Sequence, residues 1–223
     1  MFRLLTIAAC ALVLTTFNAR AFDACGPLKN AFGPYDYRAR QEFRDKLYLV
    51  EIAHFTESVQ MLQRGNTSSL GGDIDYTLRA FPNHPRALSA MANLAIRDRT
   101  DKPSGAKYTV DCYFERAIRF APDDGTVHMI YGNWLFKTGA KDKALQEYQT
   151  AEKYAENDAN LQYNLGLYYL DAKEYDKALA HAHKAYDLGF QLPGLRNKLV
   201  AAGKWRDELA KPPGSDSTTA PSK

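Results

Sequence analysis

Beyond its first 21 residues the chain lacks any apolar run long enough to cross a bilayer. It also lacks a large charge of one sign. Without Arg3 and Arg20 the 29 basic residues become 27 against 26 acidic ones, a net charge near +1, which is no footprint for nucleic acid. There is no Gly-x-Ser-x-Gly, no phosphate-binding Gly-rich loop and no dinucleotide-binding turn. Asp73-Ile74-Asp75 and Asp123-Asp124-Gly125 begin like calcium loops but are not followed by the spaced oxygens and closing Glu such loops need, so Asp123 or Asp124 reads as a helix cap. His181 and His183, two apart on a helix, point to different sides, and His54, His84 and His128 stand alone. The expectation is therefore no catalytic residue, no metal ligand, no cofactor and no enzyme activity.

Cysteine is scarce as well, and its scarcity is informative. Arg3, the run Leu4–Phe17 and Ala19-Arg20-Ala21 read as a secretory signal peptide cut after Ala21. A retained anchor is the competing reading, against which 14 apolar residues are too few. A lipoprotein-like cleavage before Cys10 is another, and it would leave almost no apolar stretch. With Cys10 in the leader, Cys25 and Cys112 remain, an even pair for an oxidising compartment, and a disulfide between them is expected. Closing a loop of that length would stabilise by about 4 kcal/mol; the alternative is one buried and one exposed thiol. Periplasmic or secreted location follows. Residues 209–223, rich in Pro, Ser and Thr, cannot bury enough surface to offset their ordering entropy and are expected to be a disordered tail.

What the chain does have is a phrase that returns. Lys141–Ala151 (KDKALQEYQTA) and Tyr175–Ala185 (YDKALAHAHKA) place Ala144 and Ala178, Ala151 and Ala185, and Gly132 and Gly166 at a common offset of 34. A fixed period of this size means stacked helical hairpins, keyed by small residues that let neighbouring helices approach. Gly139 stands where the first helix of one hairpin must end in positive φ. An earlier hairpin reads as HPRALSAMANLAIRDR and CYFERAIRFAPDDG, joined by TDKPSGAKYT, about six residues longer than the period allows. Before it, HFTESVQMLQRG (capped by Thr56) and DIDYTLRAF read as a still earlier pair, and LPGLRNKLVAAGKW as a helix closing the last repeat. Residues 22–54, rich in Tyr, Phe and Leu, fit no repeat and are expected as an arm packed on the solenoid, with the repeat domain over 55–208.

Leu165, Gly166, Tyr169, Tyr175, Ala178 and Ala185 fall where a tetratricopeptide repeat places its core, and the chain resembles an exported bacterial member of that family over about residues 55–190. The resemblance implies an all-α solenoid of antiparallel helix pairs with a C-terminal capping helix. It also implies that the first helices line a concave groove through their second, fifth, ninth, twelfth and thirteenth positions. Those include Arg86, Ser89, Thr126 and Asn160, and the groove residues singled out are Asn93, Arg97, Met129, Asn133, Phe136, Lys137, Tyr163 and Leu167. Asn93 and Asn133 share the ninth position, where an amide can donate to and accept from a peptide backbone; the alternative is that they only tie helices together. Met129 and Tyr163 at the fifth position leave no place for the family's carboxylate clamp. The implied function is a non-catalytic periplasmic adaptor or assembly factor that binds a protein or peptide. The alternative is an exported solute- or glycan-binding component, possibly accessory to transport, with Tyr35, Tyr37, Tyr48 and Phe55 stacking on a sugar.

Overall fold

The computed structural model describes residues 25–207, so the leader, its cleavage site and the tail from 209 lie outside the described residues. Those residues form ten α-helices and a short 3-10 turn at Tyr37–Ala39, with no strand among them. In chain order the helices are α1 Arg44–His54, α2 Glu57–Gln60, α3 Leu70–Ala80, α4 Pro85–Asp98, α5 Val110–Phe120, α6 Gly125–Lys137, α7 Lys141–Ala155, α8 Ala159–Asp171, α9 Tyr175–Asp187 and α10 Gly194–Ala201. They stack as antiparallel pairs into an all-α solenoid, α6 with α7 and α8 with α9 being the most intimate.

Small side chains explain that intimacy. Ala144, Ala151, Ala178 and Ala185 are fully buried. A Cβ at Gly132 would lie 2.7 Å from ring carbons of the buried Tyr148, so α6 and α7 meet at a distance only glycine permits. The first helices α4, α6 and α8 all stop in the same way. Arg99, Gly139 and Lys173, each the fifteenth residue counted from the helix start, take φ of 53°, 89° and 61°. Only one of the three is the glycine that this conformation favours. At the far end Leu195 and Leu199 of α10 are wholly buried against α8 and α9, each worth about 1.5–3 kcal/mol, and they cover the last pair as expected.

The early units depart from the reading. Instead of one helix over HFTESVQMLQRG, α1 ends at His54 and α2 is a single turn; Thr56 occupies the cap position but its side chain makes no capping bond. The chain leaves the helix at Leu62, which takes a φ of 54° and whose carbonyl accepts from Arg97 (2.7 Å), and Asp73 gathers the loop that follows. This fully buried carboxylate collects the backbone N–H groups of Asn66 (2.6 Å), Thr67 (3.1 Å) and Ser68 (3.3 Å), the Thr67 hydroxyl and His54 Nδ1 (3.1 Å). These bonds fix the loop between α2 and α3 rather than the end of α2. Burial alone would raise the Asp73 pKa, but these donors hold it down to about 2. The early helices also keep a longer offset: α3 and α5 begin at 70 and 110, α4 and α6 at 85 and 125, whereas α7 and α9 begin at 141 and 175.

Residues 25–43 run along α3 and α5. Phe32, Tyr35, Tyr37 and Phe43 pack with Leu47, Val50, Ala80 and Phe81, and Tyr35 N donates to Ala80 O (2.9 Å). Cys25 and Cys112 are joined in a disulfide. Beside it the buried Arg116 donates through Nη1 to the carbonyls of Cys25 (3.0 Å), Gly26 (3.2 Å) and Pro27 (2.8 Å) and lies over the Tyr108 ring. These charge-assisted contacts from one guanidinium nitrogen tie three successive carbonyls of the arm to α5.

Candidate functional site

The start of each first helix is set by a cap. His84 Nδ1 accepts from Ala87 N (3.2 Å), Asp124 from Thr126 N (3.1 Å) and Val127 N (3.3 Å), and Asp158 from Asn160 N (2.8 Å) and Leu161 N (3.0 Å). Asp123, the other capping candidate, instead pairs with Arg38 (2.9 Å). With their starts pinned, α4, α6 and α8 turn equivalent positions to one side. There they line a trough of about 580 Å³ through Arg86, Ser89 and Asn93, Thr126, Met129 and Asn133, and Asn160 and Asn164. Gln60 and Met61 complete it at the α2 end, and no residue of 25–54 enters its lining.

Of the groove residues singled out from the sequence, Asn93, Met129 and Asn133 come together here. The others are not in the lining. Arg97 pairs with Asp98 (2.8 Å) and donates to Leu62 O (2.7 Å), and Lys137 Nζ lies 3.5 Å from Asn93 Oδ1. Phe136 packs 5.7 Å from the Tyr168 ring, and Leu167 is partly buried against the core. Tyr163 stacks on Phe190 at 4.0 Å and so holds the connection to α10. Six lining residues escaped the reading: Gln60, Met61, Pro85, Ala90, Ile130 and Asn164. Asn164 follows Asn160 by four residues, which puts both on one helix face, and that spacing was visible. The sequence placed a helix start at Thr56, but not its end after a single turn, which is what brings Gln60 and Met61 to the trough.

The trough is nearly neutral. Arg86 carries the one formal charge among its lining residues, and it is met by Glu51 (2.6 Å) and Gln60 Oε1 (3.0 Å). The hydrogen bond with His84 holds the Glu51 carboxyl below its ordinary range, against burial, and Arg86 adds to the effect. Asn133 Oδ1 accepts from the hydroxyl of the buried Tyr148 (2.8 Å), whose pKa burial pushes up. That bond ties α6 to α7 and engages the amide oxygen of a residue that also lines the trough.

Behind the trough, equivalent positions carry a polar couple in two forms. His128 places Nδ1 at 2.6 Å from Glu147 and Nε2 at 3.1 Å from Pro122 O. Both nitrogens face acceptors, so although burial disfavours the charge, Glu147 and the carbonyl raise the pKa and favour imidazolium. One repeat later, Gln162 and His181 stand in those places, 2.7 Å apart, and burial lowers the His181 pKa. His183 lies against Trp205 and meets Arg206 O (2.8 Å).

His54, Thr67 and Asp73 bring together a hydroxyl, an imidazole and a carboxylate. Thr67 Oγ1 and Asp73 Oδ1 both approach the same Nδ1, at 2.9 and 3.1 Å. A relay needs the acid on one ring nitrogen and the nucleophile on the other, so this cluster ties a loop and is not built as a triad. Among the described residues, the group of His, Cys, Asp or Glu compact enough for a metal is Cys25, Cys112 and Glu115. With the sulfurs bonded to each other, it offers a single carboxylate. Of the aromatics offered for sugar stacking, Tyr35 is enclosed by Phe32, Phe43 and Phe81, Tyr37 faces His84, and Phe55 is buried. Tyr48 alone is well exposed.

Fold and site thus define a helical-repeat protein with a polar trough on its first helices. No family model matches the chain. It is similar to Protein O-mannosyl-transferase TMTC3 of Homo sapiens, 32% identical over 104 residues, which is 47% of this chain and 11% of that protein. The protein of the same name from Mus musculus is 32% identical over 99 residues, 44% of this chain and 10% of its own. The chain spans about a tenth of the length of the curated relatives it matches.

Proposed function

We propose that this chain is an exported member of the tetratricopeptide-repeat family that binds a segment of a partner protein in the trough of α4, α6 and α8, with no catalytic role of its own. The observation that carries the reading is the trough, about 580 Å³, in which Asn93 and Asn133 recur at equivalent places on adjacent helices beside Met129. Amides repeated at helix spacing suit the alternating donors and acceptors of an extended backbone, and Met129 suits an apolar side chain. The transferase activity named for the human and mouse relatives is not carried over, because the likeness covers so little of them. The disulfide supports work in an oxidising compartment, periplasmic or secreted, and no described helix is long and apolar enough to cross a membrane. The same reading divides the chain into a leader 1–21, an arm 22–54, a repeat domain 55–208 and a tail 209–223.

The test places a photo-cross-linking residue at Ser89 or Thr126 in the trough and, as a control, at the exposed Lys153 of α7. The segment captured in the native envelope is identified, synthesised and titrated against the full chain. Asn93→Ala and Met129→Ala are each expected to weaken it about tenfold or more, as loss of a good contact does. Asn133→Ala is less clean, since it strands the Tyr148 hydroxyl. Equal capture from Lys153, or unchanged affinity in both variants, removes the trough as the binding site.

A further inference from the structure

We propose that the trough is walled at both ends and therefore takes a short, uncharged, extended polypeptide segment of about six residues; this rests on the partner-binding reading above. At one end the segment from Phe55 through α2 to Leu62 folds in over α4. Phe55 and Val59 anchor it in the core, Arg86 donates to Gln60 Oε1 (3.0 Å) and Arg97 to Leu62 O (2.7 Å). The Met61 side chain, mostly exposed, stands on that wall.

At the other end the groove face of α8 is covered as soon as it passes Asn160 and Asn164. Tyr163 is stacked by Phe190 at 4.0 Å, and a Cβ on Gly194 would sit 2.7 Å from its hydroxyl. Leu195 and Leu199 seat α10 behind this connection. A solenoid groove that continued past α8 would need that face open.

The length follows from the helices between the walls. From α4 through α6 to α8 are two interhelix steps of about 8–10 Å each. That distance accommodates about five or six extended residues at roughly 3.3 Å apiece. The chemistry follows from the lining. Its single formal charge, Arg86, is already met by Glu51, and what remains is amide, hydroxyl and the apolar Met61, Met129 and Ile130. Beyond the lining, the cation of Lys137 is turned onto Asn93 Oδ1 (3.5 Å), so a charged segment would find little in the trough to replace its water. No aromatic ring lines the trough, so a sugar has no platform to stack on, and the polypeptide is the better fit.

The probe is a pool of synthetic peptides, acetylated and amidated, of random uncharged composition and graded in length, selected on the full chain and then titrated singly. Affinity is expected to rise about tenfold up to a length near six residues, then stay flat within about twofold and be indifferent to salt. Met61→Ala, a change at an exposed side chain, and Phe190→Ala should each move the plateau to longer peptides. Affinity that keeps climbing with length in the unaltered chain overturns the walls. Preference for charged peptides with steep salt dependence overturns the neutral assignment, and competition by neutral oligosaccharides overturns the polypeptide. Binding by no peptide of any length or charge counts against the partner-binding reading itself.

Discussion

The two halves of the solenoid are held together by different means. In α6–α9 helices approach across Gly132, Ala144, Ala178 and Ala185, and the stabilisation is close apolar contact. In α1–α5 longer loops separate the paired helices, and polar or covalent ties stand where that contact is missing. Asp73 gathers one loop, and the Asp75–Tyr113 pair (2.5 Å) closes the other by accepting Lys107 N (3.1 Å to the Tyr113 hydroxyl). Arg116 and the disulfide hold the arm. When an insertion opens a helical pair, directional bonds can restore one geometry, at the expense of burying charge that must be fully satisfied.

The largest effect that would sharpen this contrast is removal of the disulfide. Cys25→Ala with Cys112→Ala should lower stability by about 4 kcal/mol. Hydrogen exchange should locate the loss in residues 25–43 and α5 while α8 and α9 keep their protection; uniform loss would mean that the halves are one cooperative unit. Next come the two glycines. Gly132→Ala drives a methyl into the buried Tyr148 ring and should destabilise by about 1–3 kcal/mol. Gly166→Ala meets a terminal methyl of the buried Leu195 well inside contact distance and should cost less, about 1 kcal/mol, because one methyl of the end helix α10 gives way more readily than the Tyr148 ring. Denaturant titration of both variants checks the difference.

Acid should act on the polar half. The Asp73 pKa is depressed from 3.8 to about 2, so its contribution is present above the unfolded value and disappears as pH falls toward 2. The amount is about 2 kcal/mol, and Asp73→Asn should remove that part of the pH dependence in denaturant titrations between pH 5 and 2. The smallest effect, about 1 kcal/mol, belongs to His128. Its raised pKa makes the contribution complete below 6.5 and lost as pH rises through the folded value. His128→Gln with Glu147→His copies the Gln162–His181 couple and should reverse the sign of that slope near pH 6–7.

The same contrast decides what could be read beforehand. The 34-residue recurrence exposed α6 to α9 because close packing demands small residues at fixed places, and Gly132, Ala144 and Ala178 announce themselves. The start of α2 at Thr56 was legible, but not its end after one turn, because the chain turns away at Leu62, whose carbonyl accepts from Arg97 of α4, and no periodicity marks that contact. Within the trough, Asn93, Met129 and Asn133 were legible from the groove positions that the repeat resemblance implies. Tyr163 was legible as a groove-facing position, but its diversion to Phe190 depends on where the chain goes after α9, and helix phase carries no information about that.

The central claim is that first helices, and not second helices, present the binding face. Hydrogen exchange of the full chain with and without its captured segment tests this most directly. The account predicts added protection along α4, α6 and α8 and around Gln60–Met61, with α5, α7 and α9 unchanged. Protection confined to α5 and α7, or to the arm beside Cys25, would contradict it.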